Sequence, residues 1–139
     1  MVKKDVEHIT VVALAKIGRL GLLRDLYDTV FIPPFVKVES VDRGKERGAL
    51  DALEIEGAID EGWIKVAKLT REQSAKIESL ISETGIGLGE AGALTLARDE
   101  EMMVILDDKE ARAIAKSWSL EYRGTLMVLY EAFVKKLIF

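Results

Sequence analysis

The 139-residue chain is 49% apolar and 32% charged, with a mean hydropathy of +0.12, enough for one domain with a sizeable core and too little for two ordinary ones. Twenty Lys and Arg against 24 Asp and Glu give a net charge of −4, which excludes a protein held to nucleic acid by broad positive charge, so any such contact needs a local basic patch. Cysteine is absent, which excludes disulfides, thiolate metal ligands and a cysteine nucleophile, and fits a reducing compartment.

The chain opens on "MVKKDVEHITVVALAKIG", whose apolar run is broken by Lys16. That is too short for a signal peptide or a membrane span, so the chain reads as cytoplasmic with no membrane partner. Val11, Val12, Leu14, Ala15 and Ile17 follow helical spacing, Gly18 ends that helix, and Leu20, Leu22, Leu23 and Leu26 continue in a second. "TVFIPPF" predicts a strand over 29–32 stopped by Pro33, with a helix after the prolines. From Val36 to Ile59 the pattern is helical, interrupted at "DRGKERG", which reads as a solvated break. "GWIKVAKL" alternates like a strand, and "TREQSAKIESLISET" opens on Thr70 with Gln73 three residues on, the spacing of a capping box.

After the glycine stretch "GIGLGEAG", the segment "EAGALTLARDE" predicts a helix and "MMVIL" a strand buried on both faces. "DDKEARAIAKSW" starts with acids that suit a helix N-terminus, a short strand falls near "LEYRG", and "TLMVLYEAFVKKLIF" is a final amphipathic helix. Helices alternating with short strands, with neither linker nor repeat, predict a single α/β domain over residues 1–139 with a largely parallel sheet and right-handed crossovers.

Gly87, Gly89 and Gly92 have the G-x-G-x-x-G spacing of a dinucleotide loop, and Asp107 lies 20 residues beyond Gly87, where a ribose-binding acid would sit. Two observations oppose that reading. The segment before the glycines is a charged helix instead of the buried strand the motif needs. Glu90 would also place a carboxylate among the backbone N–H groups meant for phosphate. A glycine turn between two helices, raising Glu90 toward a shared pocket, is the competing reading.

Acids stand at element boundaries: Glu7 before the first helix, Glu39 after the first clear strand, Glu90 at a helix start, and Asp107 with Asp108 after "MMVIL". Residues just past the C-terminal ends of parallel strands collect at one sheet edge. Carboxylates gathered there repel unless a hard divalent cation neutralises them, and Mg²⁺ or Mn²⁺ could activate water against a phosphodiester. Equally, Glu90, Asp107 and Asp108 could serve only as acids at helix N-termini.

"VVALAKIGRLGLL", "VFIPPFVKVES", "IGLGEAGALTLARD" and "VILDDKEARAIAKSWSLEYRGTLMVLYEA" together resemble the PIN-domain-like family of small prokaryotic proteins labelled DUF3368. The resemblance implies a three-layer α/β/α PIN-like domain with a central, mostly parallel sheet, and metal-dependent ribonuclease activity using Mg²⁺ or Mn²⁺ to activate water. It also implies a toxin role beside an antitoxin protein. Carried over by residue, it puts Glu39, Glu90 and Asp107 at the second, third and fourth acidic positions, with Asp108 beside the last as a further metal ligand. The first position departs from the family's usual Asp-Ser-Ser-Pro-Leu-Ile: "EHITVV" places Glu7 at the Asp, one methylene longer, with Asp5 as a substitute in a shifted register. The competing reading is a PIN-like module that binds nucleic acid or protein without cleaving.

His8 is the single histidine, a candidate ligand or base, or a plain polar residue at a helix start. Trp63 and Trp118 are candidates to stack bases or to pack. Arg112, Lys116, Arg123 and "DRGKERG" are candidates for a phosphate-facing patch. The last helix carries more apolar side chains than one face needs, which suits either docking on its own sheet or an interface with a homodimer copy or another partner.

Overall fold

The computed structural model describes residues 4–6, 14 and 18–138. Among them, strands β1 (Lys4–Val6), β2 (Val30–Ile32), β3 (Ile64–Val66), β4 (Met103–Ile105) and β5 (Tyr122–Arg123) form one sheet in the order β3-β2-β1-β4-β5. Every neighbouring pair is parallel. The central strand is one that the apolar pattern does not announce. Lys4 of β1 pairs with Val30 on one side and Met103 on the other, and Asp5 with Phe31 and Val104.

Connections that step from β1 to β2 to β3 run one way across the sheet, and those to β4 and β5 run the other. Right-handed crossovers therefore send their helices to opposite faces. On one face lie α1 (Gly21–Tyr27), the helical run after β2, and α3 (Leu50–Glu61), joined by the C-terminal α7 (Thr125–Val134). Their shared core is built on Leu14, Leu23, Val30, Ile32, Val41, Ile55 and Val128. On the other face lie α4 (Arg71–Thr84), α5 (Leu88–Glu100) and α6 (Lys109–Ser117), around Ile77, Leu80, Leu94, Val104 and Leu106.

The "MMVIL" segment is buried throughout, from Met102 to Leu106. Met103 and Ile105 enter the first core while Val104 and Leu106 enter the second, the period-2 alternation of a strand covered on both faces. Thr70 and Gln73 form the expected capping box, Gln73 N donating to Thr70 Oγ1 at 3.1 Å and Thr70 N to Gln73 Oε1 at 3.0 Å. Gly18 takes φ 69° and Arg19 N donates to the Leu14 carbonyl at 2.8 Å; the rest of the helix expected over 11–17 lies outside the described residues.

The helical run after β2, called α2, starts on Pro34 and breaks within "DRGKERG", at its second glycine and not its first. It passes from α-helix Pro34–Lys37 through a π-helical turn Val38–Asp42 into α-helix Arg43–Glu46, and turns only at Gly48, φ 73°. The reason lies at Gly44. A Cβ there would stand 2.8 Å from the Ala52 Cβ, so this glycine lets α2 cross α3 closely. Its missing side chain serves packing, which local sequence cannot tell from a break.

Candidate active site

With all strands parallel, their C-terminal ends share one edge, and the chain leaves that edge at Pro33, Leu106 and Gly124. The helix α5 runs back antiparallel before β4, so its first turn, with Glu90, lies at the same edge. The acids of α2, α5 and the segment after β4 are thus brought by topology to one side of the sheet.

Asp107 is the most tightly placed of them. The pairing of β4 with β5 continues past the strands, Leu106 N donating to the Arg123 carbonyl at 2.8 Å. This sets Asp107 against the start of α7. Thr125 N donates to Asp107 Oδ1 at 2.7 Å, and the Thr125 hydroxyl donates to Asp107 Oδ2. Two donors and a helix N-terminus hold the charged carboxylate in one orientation. Gly124 makes room for this: a Cβ there would lie 3.2 Å from Asp107 Oδ1 and 3.5 Å from Arg112 Nη1. The family resemblance covers "GTL", yet nothing in spacing marks Thr125 as the partner of an acid 18 residues earlier.

Asp108 does something else. It is the N-cap of α6 and accepts from Ala111 N at 2.9 Å. Of the two readings open for it, capping is the one its contacts display.

Glu90 is the third residue of α5, whose N-cap is Gly87 in an extended conformation. Its carboxylate lies back against Gly87, where a Cβ would collide with Glu90 Oε2. Gly92 faces inward, where a Cβ would run into the Phe35 ring and stand 3.1 Å from Pro33 Cγ. These two glycines of the G-x-G-x-x-G spacing therefore admit a folded-back acid and the start of α2, and the preceding segment is helix α4, not a strand.

Glu39 sits in the π turn of α2, half-exposed, and accepts from Arg43 Nη1 at 3.0 Å. The adjacent Ser40 is buried and donates back to the Val36 carbonyl at 2.6 Å. Such π turns recur at functional sites. Glu7 and His8 lie outside the described residues, and Asp5 is in β1. Among the described residues no three His, Asp or Glu side chains form a group able to hold a metal ion. Topology brings Glu39, Glu90, Asp107 and Asp108 to one edge of the sheet.

The remaining candidates separate cleanly. Arg123 is taken up structurally, donating to Glu131 Oε1 at 3.0 Å, to Glu121 Oε1 at 3.1 Å and to the Tyr122 carbonyl at 3.0 Å. Tyr27 donates to the same Glu131 oxygen at 3.2 Å, and burial with that carboxylate pushes its phenol well above the usual tyrosine range. Trp63 packs on the first core and Trp118 on the second, each with an arginine over its ring, Arg24 at 5.8 Å and Arg98 at 4.5 Å. On α7, Val128 and Ala132 are buried while Leu126, Met127, Tyr130, Phe133 and Val134 are exposed. No helix among the described residues is long and apolar enough to cross a membrane.

A five-stranded parallel sheet between two helical layers, with acids gathered at its C-terminal edge, defines a PIN-like α/β domain. The chain belongs to the DUF3368 family of PIN domains, whose family model matches residues 9–139. It is 32% identical over 72 residues to Endoribonuclease Nob1 of Methanocaldococcus jannaschii, a stretch that is 50% of this chain and only 36% of that protein. In fold it is similar to PAE2754 from Pyrobaculum aerophilum, with a TM-score of 0.64 at 14% identity, covering 96% of this chain and 98% of the other. It is also similar to VapBC2 from Rickettsia felis, solved bound to a DNA fragment from their promoter, with a TM-score of 0.60 at 12% identity, covering 88% and 98%. At such identities the two structures speak for the fold alone.

Proposed function

We propose that this PIN domain is a ribonuclease that cleaves RNA phosphodiesters at the C-terminal edge of its sheet. The observation that carries the reading is the Asp107 carboxylate, fixed by both donors of Thr125 in a chain of PIN-domain descent. A carboxylate offers about four lone-pair sites, and Thr125 reaches one site on each oxygen of Asp107. Mg²⁺ commonly binds through one or two carboxylates plus water and substrate phosphate, a donor set this edge fits better than an all-protein cage. We assign Asp107 as the principal ligand, with Glu90 and Glu39 contributing and Glu7 at the altered first position. When bound, Mg²⁺ or Mn²⁺ supplies charge neutralisation at the phosphate and an acidified water. Thr125 keeps the Asp107 carboxylate oriented, and Gly124 keeps the approach to it open.

A toxin role with an antitoxin partner accords with the VapBC2 likeness, and the exposed apolar face of α7 offers a surface that an antitoxin or a second copy would cover. The second reading, a domain that binds without cleaving, draws on the altered first acidic position, where "EHIT" puts Glu7 in place of the family's Asp. The deciding assay is cleavage of a single-stranded RNA with Mn²⁺ by wild type and Asp107→Asn. Cleavage abolished by the substitution supports the nuclease; binding with no cleavage by wild type supports the second reading; cleavage indifferent to Asp107 overturns the proposed site.

A further inference from the structure

Asp107 lines an open cavity of about 330 Å³ together with Arg112, Tyr122, Arg123, Gly124, Leu126 and Met127. Its charges are accounted for unevenly. Asp107 is hydrogen-bonded by Thr125, and Arg123 is spent on Glu131 and Glu121. Arg112 is half-buried, and among the described residues its side chain has neither hydrogen bond nor ion pair. Its Nη1 and Asp107 Oδ1 both lie close to the Cα of Gly124, 3.5 and 3.2 Å from where a Cβ would stand. A guanidinium drawn partly out of water, with no carboxylate at ion-pair distance among the described residues, is a fork of donors matched to a phosphate.

The other wall is apolar. Tyr122 is half-buried, while Leu126 is 83% and Met127 46% exposed at the start of α7. The Tyr122 ring can stack a nucleobase, and the exposed Leu126 and Met127 add apolar surface beside it. The volume is of the order that small-ligand sites occupy.

We infer that this cavity seats one nucleotide next to the bond being cut, Arg112 gripping its phosphate and Tyr122, Leu126 and Met127 receiving its base. The inference rests on the nuclease reading, to which it adds the substrate subsite. Arg112 makes the contact with substrate itself; the carboxylates are left to the scissile phosphate.

The test is binding of a fluorescently labelled single-stranded RNA in EDTA, where no cleavage occurs, over a series of salt concentrations. Arg112→Gln should weaken binding about tenfold and lower the slope of log affinity on log salt by about 0.7, the loss of one single-strand phosphate contact. Arg112→Lys should recover part of the affinity, keeping the charge without the fork. An equal proportional loss on a DNA strand of the same sequence supports a phosphate contact, and a loss confined to RNA overturns it. Leu126→Ser, at an exposed position that carries no core packing, should weaken RNA binding severalfold and leave an abasic strand of the same length unaffected. If wild type binds and cleaves RNA while Arg112→Gln matches it at every salt concentration, this subsite is wrong and the nuclease reading stands. If wild type neither binds nor cleaves RNA, both fall.

Discussion

Thr125 grips both oxygens of Asp107, its backbone N–H reaching Oδ1 at 2.7 Å and its hydroxyl reaching Oδ2, across 18 residues of chain. The first turn of α7 thus fixes the acid that follows β4. Thr125→Val removes the hydroxyl and keeps both the shape and the N–H. A hydrogen bond to a charged acceptor is worth about 1.5–3 kcal/mol, so the variant should lose stability on that scale in urea titrations and cleave RNA more slowly, with Thr125→Ser restoring most of both. Rates equal to wild type in Thr125→Val would mean that the orientation of Asp107 is immaterial.

Asp108, adjacent in sequence, should behave oppositely. Asparagine is as good an N-cap as aspartate, whereas alanine is not. Asp108→Asn should retain stability and RNA cleavage, and Asp108→Ala should cost about 0.5–2 kcal/mol. A collapse of cleavage in Asp108→Asn, with melting unchanged, would instead make its charge part of the site.

Gly92 separates packing from phosphate binding. Its added Cβ would strike Phe35 and crowd Pro33, so Gly92→Ala should destabilise by about 1–3 kcal/mol, the usual cost of overpacking. Chemical denaturation reads this directly. Affinity for a dinucleotide cofactor should be the same in wild type and Gly92→Ala, since Glu90 occupies the helix start that a pyrophosphate would need.

The Tyr27 phenol, buried against Glu131, has its folded-state pKa raised above the ordinary value of 10.0. A raised folded pKa favours the protonated form in the native state, so this stabilisation is fully present below the unfolded pKa and is lost as pH rises above about 10. Stability measured by urea should therefore fall through that window in wild type. Tyr27→Phe, which has no phenol to ionise, should show a shallower decline. Identical slopes would mean that Tyr27 does not contribute to the pH dependence.

Local pattern carried most of the elements. The uninterrupted apolar run at Met102 to Leu106 marks a strand covered on both faces, and Thr70 with Gln73 marks the start of α4, because burial and capping act within a few residues. β1 escaped because three residues, two of them Lys4 and Asp5, carry no readable period. Its place at the centre of the sheet comes from pairing with β2 and β4 on either side. The glycines at 44 and 92 look like breaks or a phosphate loop in sequence and turn out to be points of close helix approach.

The candidate site divides in the same way. Residue type and family resemblance single out Glu39, Glu90 and Asp107 from the chain alone, since a nuclease edge needs oxygen donors and the motifs carry them. What the tertiary structure decided is how each is engaged: Asp107 by Thr125, Asp108 by its own helix, Glu39 by Arg43, with Arg112 beside the cavity and unpaired among the described residues. Periodicity reports how one segment meets solvent and core. Which side chains from distant segments meet each other is set by strand order and crossover handedness, which no single segment encodes.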